Sequence, residues 1–335
     1  MKPAIGRREM LKSAMTALAA GPGCFDVVIT DSEVNGDIVT ETEGGLPTIA
    51  AVTENGSFYV YQCCGTPVIT PPWTCEIVDL GAVVATLDET WFEGREPVLV
   101  EDTLQCIGST PYSQLIGNAV WGGMALTDVL AELGVTVSPS IVEVGLTGHD
   151  GYIASVPVGD LQRPLWMVWQ MNGVPLPTEH GFPARIIAPS RYGVKNVKWV
   201  QRIELSDTIV ANFWDPAGWN HEAPVRVNGF ILVPQTGGTV NEAPRLLGTA
   251  FGGTDPVVRV EVTVNGGAWT DAAIDYAPGP HIWTLWHFDL NLSTGEHTAQ
   301  VRVTSESGVM SNLNPEGSNY LDGYDGGQFI SFSIA

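Results

Sequence analysis

The chain has 335 residues, 44% of them hydrophobic and 16% charged, which is enough for two domains with real cores and excludes a disordered polymer. Only 15 Lys and Arg face 37 Asp and Glu, giving a net charge of −22. That balance excludes nucleic acid as a partner, because phosphate backbones need a basic surface, and it leaves room for docking to a basic protein. The 38 glycines and 23 prolines point to many turns and a β-rich build.

At the N-terminus, Arg7 and Arg8 stand together in GRREMLK, ahead of the mildly apolar run SAMTALAAG. This is the pattern of a Tat-type export signal over residues 1–26, and it predicts a periplasmic or other extracytoplasmic location. The plainer reading is a short amphipathic start with a chance Arg pair. Cys24 closes the run as GPGC, where a lipid-attached cysteine would sit and tether the chain to a membrane. No stretch reaches the roughly 18 apolar residues needed for a helical span. Residues 27–45 are acidic and polar and read as a linker.

The five cysteines are Cys24, Cys63, Cys64, Cys75 and Cys106. No CxxCH occurs, so there is no c-type haem attachment. In an oxidising compartment Cys75 is within reach of a bridge to Cys63 or Cys64; otherwise it is a small buried hydrophobe.

From residue 46 the texture turns β-like. SFYVYQ, TCEIVDL and AVVATL read as strands bounded by Gly, Pro and Asn. PVLVEDTLQCIG reads as a strand ending at Cys106, and Gly108 allows a sharp turn that leaves the sulfur exposed at the strand end. Such a sulfur is a core thiol, a soft metal ligand or a nucleophile, and no local Cys–His arrangement supplies a base for the last. IGNAVWGGMALTDVLAELGV reads as a turn followed by a helix. Met124, Leu126, Val129, Leu130 and Leu133 fall on one face, with Thr127 and Asp128 near the start. Tyr152 reads as a half-buried strand aromatic and His149 as a loop histidine.

The stretch from residue 180 to 202, HGFPARIIAPSRYGVKNVKWVQR, holds five of the 15 basic residues: Arg185, Arg191, Lys195, Lys198 and Arg202. An acidic chain that gathers its positive charge in one place is suited to gripping an anion, and Arg forks with Lys point charges suit phosphate. The alternative is ordinary solvated charge on a strand and loop.

Residues 208–335 carry strand-like runs spaced by turn clusters, with NGG and STG as hairpin signals. About seven short strands of this kind suggest an immunoglobulin-like sandwich. Trp283 and Trp286 read as core and interface anchors, and His221, His281, His287 and His297 as structural.

The motifs TLQCIG around Cys106, GYIASVPV around Tyr152 and MNG…LP…HGFP…R…VKW resemble the sulfite oxidase family of molybdenum-cofactor oxidoreductases. The resemblance covers all but the N-terminal segment. It implies an α+β fold: a mixed molybdopterin-binding domain over 46–207, then an all-β immunoglobulin-like dimerisation domain over 208–335. It implies a molybdenum–molybdopterin cofactor with Cys106 as the protein ligand to the metal. Tyr152 and Tyr61 are implied to shape the substrate pocket. His180 and Arg185 are implied to contact the pterin, and Lys198, with the backbone around Lys195 to Val197, to hold its phosphate. Two-electron oxygen-atom transfer on a small molecule follows, with electrons exchanged with a separate protein such as a cytochrome.

There are departures. In sulfite-oxidising members one pocket arginine lies soon after an F-[FY]-V string, and another follows the cysteine within about five residues. Here Phe58 to Val60 is followed by Tyr61, and Cys106 by IGSTPYSQ. Losing two such contacts removes about 1.5–3 kcal/mol of sulfite attraction for each charge-assisted bond. A substrate other than sulfite is expected. The alternatives are a sulfoxide-type reductase running in the opposite direction, and an exported binding protein that keeps the fold without the metal.

Overall fold

The computed structural model describes residues 39–41, 47–62, 65–111, 113, 115–163, 165–240, 244–314 and 320–335. The expected export signal with Cys24, most of the linker, and Cys63 and Cys64 lie outside them. Part of the linker is ordered as strand: β1 (Val39–Glu41) pairs antiparallel with β2 (Pro47–Ile49). The Val–Thr pair in this acidic stretch favours extended backbone.

Two five-stranded sheets build the first half. One has the order β4-β3-β12-β7-β8, from β3 (Thr74–Asp79), β4 (Ala82–Asp88), β7 (Glu143–Gly148), β8 (Ile153–Pro157) and β12 (Val200–Ser206). Its β3–β12 contact is parallel and the others antiparallel. The other has the order β10-β9-β6-β5, from β5 (Val98–Gln105), β6 (Ile116–Ala125), β9 (Trp166–Met171) and β10 (Val174–Pro175), with β11 (Arg185–Ile187) also paired to β9.

The first sheet, the helix α1 (Leu126–Glu132) and β11 share a core that includes Ile77, Val129, Leu146, Ile186 and Ile203. The expected apolar face is real, since Leu126, Val129 and Leu130 are all buried. The helix is shorter than expected, however, and what precedes it is a ten-residue strand rather than a turn. The glycines there serve close packing: a Cβ on Gly117 would lie 2.9 Å from the Phe58 ring, and one on Gly123 would lie 2.2 Å from the Met167 carbonyl oxygen. Among the described residues α1 is the one α-helix, so the chain is mostly strand.

The second half forms two more sheets. The order β13-β15-β19-β18 comes from β13 (Asn228–Val233), β15 (Arg245–Phe251), β18 (Ala273–Tyr276) and β19 (Thr284–Asp289). The order β14-β21-β20-β16-β17 comes from β14 (Thr239–Val240), β16 (Val257–Val264), β17 (Thr270–Asp271), β20 (Gly295–Ser305) and β21 (Phe329–Ile334). Ile231, Leu246 and Trp286 of the first meet Val260, Val301 and Phe332 of the second in one core.

NGG is the hairpin turn expected: Asn265 and Gly266 both have positive φ, and the Gly267 amide donates to the Val264 carbonyl. STG is not, because β19 and β20 belong to different sheets and the loop between them crosses from one to the other.

Candidate active site

Strand β5 delivers Cys106 to the floor of a cleft of about 740 Å³, its open mouth included. The turn after it is fixed by the Cys106 amide donating to the Leu115 carbonyl (2.9 Å) and the Ser109 amide donating to the Cys106 carbonyl (3.0 Å). Cys106 is buried rather than exposed, 7% accessible, yet it lines the cleft. Burial pushes the thiol up to about 11, and the Gly108 amide bonded to the sulfur works against that. A cation seated there would supply what the thiolate lacks.

One wall comes from Phe58, Tyr59, Tyr61 and Gln62. SFYVYQ is not a strand: the segment is irregular, opening with the Phe58 amide donating to the Glu54 carbonyl. The opposite wall comes from β11 and the turns on either side of it. His180 is buried, and its Nε2 lies 3.0 Å from the Asn55 carbonyl. Burial, reinforced by Arg185, holds its pKa down to about 4, so the ring is neutral near pH 7. Gly181, at φ 116°, turns the chain where a side chain would be strained.

Arg185 donates to the His180 carbonyl (2.9 Å) and the Asn196 carbonyl (3.1 Å) and lies over the Trp121 ring. Its Nε is buried and unpartnered, and burial lowers its pKa to about 10. Lys198 Nζ donates to Gln62 Oε1 (2.7 Å) and the Glu179 carbonyl (2.9 Å). Tyr152 lines the cleft and donates its hydroxyl proton to the Val194 carbonyl (2.7 Å).

The cleft therefore brings together Cys106, Tyr61, Tyr152, His180, Arg185 and Lys198. Lys195 and Val197 do not line it. The Lys195 ammonium is buried and donates to the Ser155 carbonyl (2.7 Å), and the Val197 side chain belongs to the core. What these two positions can offer a ligand is backbone. Arg191 forms a buried pair with Asp160 (2.8 Å), and Arg202 pairs with Glu76 and Glu204. Only two of the five clustered cations face the cleft, because charge count along a sequence does not say which way a side chain points. His149 is not among the lining residues either.

Sequence reasoning passed over Tyr59, Asp150, Asn196 and Trp214, which also line the cleft. Tyr59 stood in the FYV string but was read as one of an alternating strand. Asn196 sits inside the phosphate-binding run, where only the Lys residues stood out. Cys75 is fully buried with a free thiol in the core, matching its reading as a small hydrophobe.

Residues 65–214 match the family described as oxidoreductase molybdopterin binding domain. Mitochondrial sulfite oxidase of Rattus norvegicus is 28% identical over 204 residues, covering 51% of this chain and 37% of that protein. Sulfite oxidase of Gallus gallus is 28% identical over 294 residues, covering 73% and 64%. The chain thus spans little more than a third of the mitochondrial relative. The sulfane dehydrogenase SoxCD of Paracoccus pantotrophus has the same fold, with a TM-score of 0.74 at 20% identity over 91% of this chain and 92% of that one.

Fold and cleft define a molybdopterin-binding oxidoreductase domain. The chain is similar to the sulfite oxidases, and its molybdopterin-binding domain implies a molybdenum–molybdopterin cofactor.

The residues present fit that group. Arg185 is a buried cation with no carboxylate paired to it among the described residues and with an unsatisfied Nε, an arrangement that costs stability until an anion joins it. Lys198 adds a second cation in the same cleft, and the Cys106 sulfur is the soft donor a molybdenum site calls for.

Proposed function

We propose that the chain catalyses two-electron oxygen-atom transfer on a small, neutral or weakly charged molecule other than sulfite, and exchanges electrons with a separate redox protein such as a cytochrome. The observation that carries this is the single cleft joining Cys106 to Arg185 and Lys198. When bound, the cofactor supplies a metal that changes oxidation state by two electrons as an oxygen atom crosses.

Cys106 would ligate that metal. His180 and Arg185 would hold the pterin, and Lys198, with the backbone from 195 to 197, its phosphate. Tyr61 and Tyr152 wall the substrate's side of the cleft. The charge argument against sulfite follows from the same lining. The two cations there are the ones assigned to the cofactor, and Tyr61 stands where sulfite oxidisers carry an arginine.

We also propose the wider organisation: a Tat-exported periplasmic protein, tethered if Cys24 is lipidated, with a catalytic domain over 46–207. The paired sheets of 208–335 are read as an immunoglobulin-like sandwich serving a homodimer. Their shared core and crossing loops support that reading.

Steady-state turnover with an artificial electron acceptor or donor, run on sulfite, thioethers and sulfoxides, tests the substrate. Turnover on an uncharged compound with little on sulfite is expected. Efficient sulfite oxidation would overturn the assignment.

A further inference from the structure

Between β12 and the second half, the segment 210–221 lies along the edge strand β8. The Phe213 amide donates to the Ile153 carbonyl (2.9 Å), and the Ser155 amide donates to Asn212 Oδ1 (2.6 Å). The Val210 amide donates to Glu143 Oε2 of β7 (2.7 Å). This segment delivers Trp214 to the cleft. The Phe213 ring lies 5.6 Å from the Tyr152 ring and 5.0 Å from the indole, which puts Trp214 on the same side of the cleft as Tyr152.

His221 ties the segment down. Its Nε2 lies 2.8 Å from Glu143 Oε1, and Glu143 is buried. Its Nδ1 lies 2.9 Å from Asp215 Oδ2 and 2.8 Å from Asn212 Nδ2, and the charge on the ring decides between them. A charged ring donates from both nitrogens, to Glu143 and Asp215. A neutral ring keeps its proton on Nε2 toward Glu143 and accepts the Asn212 amide at Nδ1, so Asp215 loses that donor. Asp215 opens the 3-10 turn Asp215–Ala217, directly after Trp214, so the exchange acts next to the indole.

The charged groups acting on the ring are Glu143 of β7, Asp215 of its own segment and the buried Lys195. Burial and Lys195 favour the neutral form. The bonds to Glu143 and Asp215 outweigh them and raise the pKa above the ordinary histidine value of 6.5, so the exchange falls on the alkaline side of it.

We propose that Trp214 limits the bulk of the substrate the cleft admits, and that His221 is its positioning residue, holding the indole in the wall when charged and releasing Asp215 when neutral. This rests on the oxygen-transfer reading above and adds to it what bounds the substrate's size.

The test uses the holoenzyme and its Trp214→Ala, His221→Gln and Asp215→Asn variants. The probes are dimethyl sulfide and methyl phenyl sulfide with an artificial electron acceptor, or their sulfoxides with a donor. Metal and pterin content is read alongside kcat and KM. Trp214→Ala should keep both metal and pterin. Its kcat/KM for the phenyl compound, relative to the dimethyl one, should rise roughly tenfold or more, mainly through KM. In the wild type the same ratio should rise between about pH 6 and 9, as His221 loses its proton. In His221→Gln and in Asp215→Asn, which keeps the shape and removes the charge, the ratio should not change with pH.

An unchanged ratio in Trp214→Ala would overturn the inference, and so would loss of pterin, which would make the indole a cofactor anchor. A wild-type ratio that is flat with pH, or a slope that survives in both His221→Gln and Asp215→Asn, would remove His221 from the positioning role. A wild type that turns over neither compound nor its sulfoxide sinks the underlying reading and this one together. Wild-type turnover with an unaltered Trp214→Ala sinks this one alone.

Discussion

Arg185 sets the terms at the scale of single residues. Its guanidinium is buried, bonded only to backbone carbonyls, and aimed into a cleft with a second cation. Replacing Lys198 with Met should lower pterin retention while the apo-protein stays folded, because the Lys198 bonds lie near the surface. Arg185→Met should lose pterin too. It also strips two buried carbonyls of their donor, at about 1–3 kcal/mol each, so its urea midpoint should fall. Cofactor analysis and urea unfolding check the pair.

His180 gives the acid dependence. Its folded pKa of about 4 lies below the ordinary histidine value of 6.5, so below pH 6.5 the unfolded chain takes up a proton that the native ring does not. Stability is therefore lost as pH falls from 6.5 through 4, by roughly 3 kcal/mol in all. In His180→Gln that part of the acid slope should vanish in urea titrations at stepped pH.

At this scale the sequence was legible where a motif is short and local: TLQCIG, HGFP and VKW each located a residue of the cleft. It was not legible for Lys195, Arg191 and Arg202. Their charges are spent on Ser155, on Asp160 and on Glu76, all distant along the chain, with Glu204 close by Arg202 as well.

Among the elements, β6 is the one whose nature the sequence hid. Three glycines in ten residues read as a turn, yet Gly117 admits the Phe58 ring, and Gly122 and Gly123 sit at a register shift against β9. Gly123→Ala should cost about 1–3 kcal/mol or more, because the new methyl meets the Met167 carbonyl and Val168 Cα of β9. Thermal unfolding reads this directly, and an unchanged midpoint would mean that the strand can shift. Where packing is local, as on the buried face of α1 or at the Asn265–Gly266 turn, spacing and turn chemistry were enough. Where a glycine answers to a partner fifty residues away, they were not.

For the whole molecule, the two halves meet directly behind the site. Gln105, next to Cys106, exchanges amide hydrogen bonds with Asn228 of β13 at 3.2 and 3.1 Å, both side chains being fully buried. Thr103 receives the Trp283 amide on its hydroxyl, and Glu101 accepts from the Tyr276 hydroxyl. The second half therefore buttresses the face of β5 opposite the cleft. Asn228→Leu should leave the Gln105 amide unpaired, cost about 1–3 kcal/mol in urea unfolding, and lower metal content although the residue is outside the cleft. Composition and turn spacing made two β-rich parts legible. This seam was not, because each of its bonds joins residues more than a hundred positions apart.

The central claim is that one cleft grips a metal through Cys106 and a pterin through Arg185 and Lys198. Metal and pterin analysis of wild type and Cys106→Ser, both matured in a molybdenum-sufficient host, tests it most directly. The account predicts molybdenum and pterin equimolar with the wild-type chain, and a Cys106→Ser protein that keeps pterin while its metal is depleted or altered in its spectrum. A correctly folded wild type carrying neither, or a Cys106→Ser protein whose metal is unchanged in amount and spectrum, would contradict it.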